Sequence, residues 1–196
     1  MASGRATMRS MEVMEALRGR RSIGKLDGDI DDAQVRELVE AAIHAPNHKL
    51  TEPWRFTVVR GDARVRLGAA WADCEAGRTT LTGAERDAYL RREAQKPLRA
   101  PVLIVVSTRT DADPIVAQED FAASAAAVQN LLLAAHARGF GAMWRTGAMA
   151  YDQRINEHLG VERSDRIVAI VYLGRAAMPL PRDRPRNVEA VLRTLS

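Results

Sequence analysis

The chain has 196 residues, a formal net charge of +4, 46% hydrophobic and 28% charged residues. That balance is ordinary for a globular protein and excludes a disordered chain or a collagen-like repeat. No apolar run approaches the roughly 18 residues of a membrane span, and the most apolar stretches, 101–106 and 167–173, are strand-sized. The single cysteine, Cys74, rules out an internal disulfide and any zinc site built on paired cysteines, and it fits a reducing cytoplasm. Cys74 itself reads as a passive helix residue.

Of the 29 basic residues 26 are Arg, the exceptions being Lys25, Lys49 and Lys96. Arg grips phosphate and carboxylate in a planar fork, so this surplus suits an anionic ligand. The charges are scattered, and the chain has only three Phe and three Tyr. A basic stripe interleaved with aromatics, as a nucleic-acid platform requires, is not visible. No nucleic-acid or membrane partner is expected.

Residues 1–10 are polar and lack the apolar core of a signal peptide, and Glu12 and Glu15 argue against a transit peptide. They read as a flexible leader, and 11–196 as a single domain with an extended tail from about 176. Ser10 is placed to cap a first helix over 11–18, with Met11, Val13, Met14 and Leu17 on its apolar stripe. Gly19 ends it. Asp31 or Asp32 caps a second helix, in which Val35, Leu38, Val39 and Ala42 form one face. Pro46 stops it, leaving a loop over 45–53. A strand follows at 54–60, then helices at 62–76 and from Gly83 to about 96. The 101–107 segment is apolar on both faces and reads as a central strand. A long helix runs over 115–138, so apolar around its middle that it must lie in the core or an oligomer interface. Strands at 141–145 and 167–173 flank a short helix capped by Asp152. The 179–185 segment is extended, and 188–195 suggests a terminal helix. Four strands separated by uneven numbers of helices give an α+β fold: a small, mostly antiparallel central sheet flanked by helices.

Several machines are absent. No GxGxxG follows a strand and there is no GxxxxGK[ST], so neither dinucleotide nor P-loop phosphate cradle is signalled. There is no GxSxG elbow. His44 and His48 are four apart, but Pro46 lies between them and the HExxH glutamate is missing, so no metal site is expected. What remains is three polar clusters. Arg20, Arg21 and Ser22, between Gly19 and Gly24, read first as a solvated basic turn and second as a grip for a terminal phosphate. His44, Asn47, His48 and Lys49 read equally as a polar turn or as donors to a heterocycle edge. Trp144, Arg145 and Thr146, at a strand end, read equally as a core Trp beside a surface Arg or as the edge of a cofactor site.

Taken in order, "RRS" after the first helix, "APNHK" and "PWRF" after the second, the long apolar helix, "GFGAMWRTG" and the strand "IVAIVYLG" resemble the nitroreductase family. The likeness extends over about 13–175 and is greatest to the family's small, compact branch of NAD(P)H nitroreductases. It implies an intertwined homodimer that binds FMN at its interface. By position, Arg20, Arg21 and Ser22 would hold the phosphate and ribityl region, with Arg145 as a second phosphate partner beside Trp144 and Thr146. His44 and His48 would approach from the other subunit. The flavin N5 would carry the chemistry, with no catalytic side chain: NAD(P)H delivers hydride, leaves, and a nitroaromatic, quinone or related acceptor enters in ping-pong order. Two positions depart from the family pattern. Gly24 stands where many larger relatives carry Lys, with Lys25 adjacent, and His44 stands where the compact branch often has Arg. The resemblance also allows a same-fold enzyme that fragments flavin or removes halogen reductively, and a further alternative is a flavin-binding module without turnover.

Overall fold

The computed structural model describes residues 11–195. The expected cap Ser10 and the leader lie outside the described residues. Helix α1 spans Val13–Gly19, with Glu12 rather than Ser10 at its N-cap. Then come β1 (Leu26–Asp27), α2 (Asp32–Ile43), β2 (Trp54–Arg60), α3 (Asp62–Ala76) and α4 (Gly83–Ala94). β3 (Val102–Thr108), α5 (Pro114–Ala137), β4 (Gly141–Arg145), α6 (Gln153–His158) and β5 (Arg166–Ala176) complete the order, with short 3-10 turns at His48–Leu50, Lys96–Arg99 and Ala148–Tyr151.

Local chemistry accounts for the boundaries. Asp31 accepts from the Gln34 backbone N–H while the Gln34 side chain accepts from the Asp31 backbone, a reciprocal capping box that starts α2. Asp113 and Asp152 cap α5 and α6 in the same way through one side-chain oxygen each. Gly139 at φ 75 turns the chain out of α5 into β4.

The sheet is antiparallel in every strand pair, in the order β1-β5-β3-β2, with β4 also paired to β5. β3 is central and buried at all positions, its polar Ser107 and Thr108 included, as the apolar run over 102–106 predicts for a central strand. Its alternation divides the core. Val102, Ile104 and Val106 join α2 and α5 on one face, while Leu103 and Val105 join Leu67, Trp71 and Cys74 of α3 on the other. Between Val106 and Ser107 the β3–β5 register skips Val168, a β-bulge.

Two expectations change, at α1 and in the tail. The apolar stripe of α1 faces outward: only Ala16 is buried, and Val13, Met14 and Leu17 are exposed. α5 is not enclosed all round. Ala127, Val128, Leu131 and Ala135 are in the core, while Ala122 is exposed and Ala125, Ala126 and Leu133 are half-buried. The predicted helix at 188–195 is a single turn, closed by the Val191 and Leu192 N–H groups on the Val188 carbonyl. Val188, Val191, Leu192 and Leu195 are exposed, and so short a helix is marginal without a surface to cover its apolar side. No described helix is long and apolar enough to cross a membrane.

Candidate functional site

β4 is an edge strand, and the site is built along it. Where α1 ends, the Arg20 N–H bonds the Ala16 carbonyl and the chain straightens. Ser22 then forms a parallel bridge with Ala142, and the Ile23 N–H donates to the Ala142 carbonyl at 3.0 Å. The Arg20–Arg21–Ser22 turn is thereby stitched to the first half of β4, and "RRS" meets "GFGAMW". Alternate residues of a strand turn their backbone groups to opposite edges. With the Ala142 carbonyl outward, the Trp144 N–H and C=O face the same edge, beyond the bridge, where no further strand pairs.

Arg20, Arg21, Leu132, His136, Phe140 and Gly141 line a cavity of about 250 Å³ at the start of β4. The Arg21 guanidinium donates to the Arg20 carbonyl at 3.0 Å and pairs with Asp183 of the tail at 2.9 Å. Its Nε is buried without a hydrogen-bond partner among the described residues. Arg20 has no ion pair among them. Burial, then the charges of Arg21 and Arg186, lower the Arg20 pKa, and burial followed by Arg20 and Arg21 lowers that of His136. The carboxylate paired with Arg21 is Asp183, held below its ordinary range chiefly by Arg186. The cavity is a concentration of positive charge opposed by the exposed Asp183 and by Glu15 of α1, which faces His136, a setting for an anion.

At the far end of β4 the side chains diverge. The Trp144 indole Nε1 donates to the Val168 carbonyl at 3.2 Å, the residue left over by the bulge. Arg145 lies on the other face. Its Nε is 3.1 Å from the Met143 sulfur and its guanidinium carbon 5.3 Å from the Tyr172 ring centroid. With Thr146 it lines a separate cavity of about 360 Å³, together with Trp71, Glu75, Tyr89 and Lys96. Tyr89 donates to Glu75 there at 2.5 Å, which raises the Tyr89 hydroxyl to about 12. Arg145 therefore does not join Arg20 and Arg21: they occupy different cavities, on opposite faces of the sheet.

His44 is the exposed C-cap of α2. His48 lines a third, open recess with Asn47, Glu119, Ala122 and Ala126, its Nε2 3.9 Å from Glu119. Its loop holds three non-glycine residues at positive φ: Lys49 (52°), Leu50 (54°) and Glu52 (43°). The Asn47 side chain accepts from the Glu52 N–H, and Thr51 donates to Asp120 of α5 at 2.6 Å, which together fix this strained shape. Within one chain Arg20 and Arg21, Arg145 and Thr146, and His48 thus line three separate recesses, Ser22, His44 and Trp144 line none of them, and the His48 recess abuts the half-exposed face of α5.

Sequence reasoning missed His136, Asp183 and Arg186. A signal for His136 existed: it is the one ionisable side chain within the 121–137 run, one turn before the Gly139 turn. Nothing in the tail's composition points to Asp183.

Residues 17–175 match the family model described as "Nitroreductase family". The chain is 31% identical over 166 residues to "Putative NAD(P)H nitroreductase YdjA" of Escherichia coli K12, covering 84% of this chain and 88% of that protein. A nitroreductase-like family protein from Bacillus cereus superposes with a TM-score of 0.84 at 29% identity, covering 97% of this chain and 99% of the other. The "putative nitroreductase in complex with fmn" from Desulfovibrio desulfuricans does so at 0.72 and 27% identity, covering 96% and 99%. With its fold, its motifs and most of its length matched, the chain belongs to the nitroreductase family.

Proposed function

We propose that the protein is an FMN-dependent NAD(P)H oxidoreductase that works as a homodimer. The observation that carries this reading is the pairing of an under-neutralised Arg20–Arg21 cavity with the open backbone edge at Trp144. An elongated ligand with an anionic end and an amide end fits that combination. The residues present suit FMN: the orphaned Arg21 Nε and the unpaired Arg20 guanidinium match a phosphate, and the Ser22 hydroxyl is exposed beside them. The Trp144 N–H and C=O match a donor–acceptor ring edge. Arg145 and Thr146, beneath the sheet, flank the ring end and not the phosphate.

The exposed Val13, Met14 and Leu17 of α1 and the open side of α5 supply the surface for a second copy, whose His44 and His48 then complete each site. When bound, FMN supplies hydride acceptance from NAD(P)H and hydride donation, in a separate half-reaction, to nitroaromatic, quinone or related acceptors. This chain's residues bind and orient. The Arg20–Arg21 pair anchors the anionic end, Trp144 is immobilised by Val168, and the strained 47–52 loop holds His48 against α5. Positive charge from Arg145 biases the site toward an anionic reduced ring.

Purified protein should be yellow and dimeric, and anaerobic addition of NADH or NADPH should bleach the flavin band. A colourless monomer that stays colourless with excess FMN overturns the reading. A yellow protein that neither nicotinamide bleaches points to a different reaction on the same fold.

A further inference from the structure

We infer that His136 is a proton-linked ligand of the flavin phosphate: it completes the Arg20–Arg21 cradle and takes up a proton when a phosphorylated flavin binds. The inference rests on the flavin reading above. His136 projects from the last turn of α5 into the same cavity as Arg20 and Arg21. Its imidazole is seated against the turn that precedes them, because a Cβ built on Gly19 would lie 2.8 Å from His136 Nε2. Only a residue without a side chain lets the ring lie so close to the backbone at position 19.

The charges facing His136 set its behaviour. Glu15, Arg20 and Arg21 approach from α1 and the turn after it. The tail adds Arg186 beside Arg20 and Asp183 on Arg21. Arg138, two residues further along the chain, is paired away with Glu37. Without an anion the two guanidiniums and partial burial disfavour a third positive charge, and His136 is held neutral below its ordinary range. A phosphate dianion reverses that field. The C-terminal end of α5 also favours a cation at this position, through the partial negative charge of its free carbonyls. Binding therefore draws a proton from solvent onto the imidazole, which donates to a phosphate oxygen. No bond is broken in this step: one proton moves from buffer to a ring nitrogen.

The consequence is a preference for FMN over riboflavin that strengthens as pH falls from 8.5 toward 6.5. Phosphate's own second ionisation, near 6, lies at the bottom of this range, so the effect above it belongs to the protein.

Calorimetry on protein stripped of flavin tests this, with FMN and riboflavin as ligands, at pH 7.5 in two buffers of different ionisation enthalpy. Wild type should take up about half a proton or more with FMN and none with riboflavin. His136→Gln should abolish the uptake and reduce the preference for FMN about tenfold. His136→Lys, with a permanent charge, should keep the preference and lose the uptake, and it stands as the test should the Gln variant not fold. Absence of uptake in wild type, or uptake unchanged in either variant, overturns the inference. Wild type that binds neither flavin brings down the flavin reading itself, a result distinct from FMN binding without proton uptake.

Discussion

The Trp144 indole donates its single N–H to the carbonyl of Val168, at 3.2 Å. Val168 is the residue skipped by the β3–β5 register, so an irregularity in the central sheet is what holds an aromatic ring at the open edge of β4. Trp144→Phe removes the donor and leaves a carbonyl inside the core without its partner. We expect a loss of about 1 to 2 kcal/mol of stability, read by urea denaturation, together with weaker flavin retention on gel filtration.

Arg20 and Arg145 should separate by ligand. Arg20→Ala removes a charge-assisted contact to phosphate, and we expect FMN affinity to fall tenfold or more with riboflavin affinity nearly unchanged. Arg145→Ala should leave the ratio of the two affinities within about threefold of wild type. Fluorescence titration of both flavins measures this. The reverse result would place the phosphate beneath the sheet.

Two glycines make a contrast. A Cβ at Gly68 would lie 2.2 Å from the Ala94 carbonyl oxygen, backbone that ends α4. Gly68→Ala must push α3 and α4 apart, and we expect a loss of about 1 to 3 kcal/mol. At Gly19 the obstacle is the tip of His136, which can swing away. Gly19→Ala should keep stability within about 0.5 kcal/mol yet lower FMN affinity. Chemical denaturation and flavin titration, run on both variants, separate the effects.

Leu50 sits at φ 54 and is 81% exposed. Its side chain contributes little burial, while its backbone conformation costs about 1 to 2 kcal/mol relative to glycine. Leu50→Gly should therefore raise stability by about 0.5 to 1 kcal/mol after the greater freedom of glycine in the unfolded chain is counted. A shift of the urea midpoint upward at constant slope is the expected reading. Reduced turnover in the same variant would show that the strained shape serves the site.

Asp152 caps α6 and is buried among Arg154, Arg78 and Cys74. Its hydrogen bonds with Arg154, chief among the causes, lower its carboxyl to about 2 from 3.8. A folded-state value below the unfolded one stabilises the protein above about pH 4, and that contribution is lost as pH falls toward 2. Stability measured from pH 5 to 2 should drop by on the order of 1 to 2 kcal/mol more in wild type than in Asp152→Asn. Parallel curves would contradict the assignment.

Much of this fold is legible locally. Gly61 and Gly77 bracket α3, Asp31 with Gln34 announces α2, and the apolar run 102–106 identifies the strand buried on both sides. β1 is not legible, since two residues carry no period and Leu26–Asp27 is a strand only because the end of β5 lies beside it. The tail pattern Val188, Leu192, Leu195 has helical spacing but nothing within the described chain to cover it. The site follows the same division. Arg20, Arg21 and Trp144 stand out in sequence, but their adjacency is a bridge between Ser22 and Ala142, made by the sheet and invisible to any local window. That Arg145 lines a different cavity from Arg20 and Arg21 is equally invisible in a local window. One step along a strand reverses the face, and so Trp144 and Arg145, adjacent in the chain, point apart: the indole bonds the Val168 carbonyl while Arg145 lines the cavity with Trp71 and Glu75.

The tail after Ala176 carries both the carboxylate and one of the guanidiniums that adjust the cavity beside α1. Its exposed arginines make it a natural target for trypsin-like proteases, although Pro185 shields the bond after Arg184. A single nick after Arg182 would carry off Asp183 and Arg186 together. A clipped preparation would keep its core and its colourless absorbance at 280 nm while its grip on the yellow prosthetic group changed, so intact mass belongs beside every flavin stoichiometry.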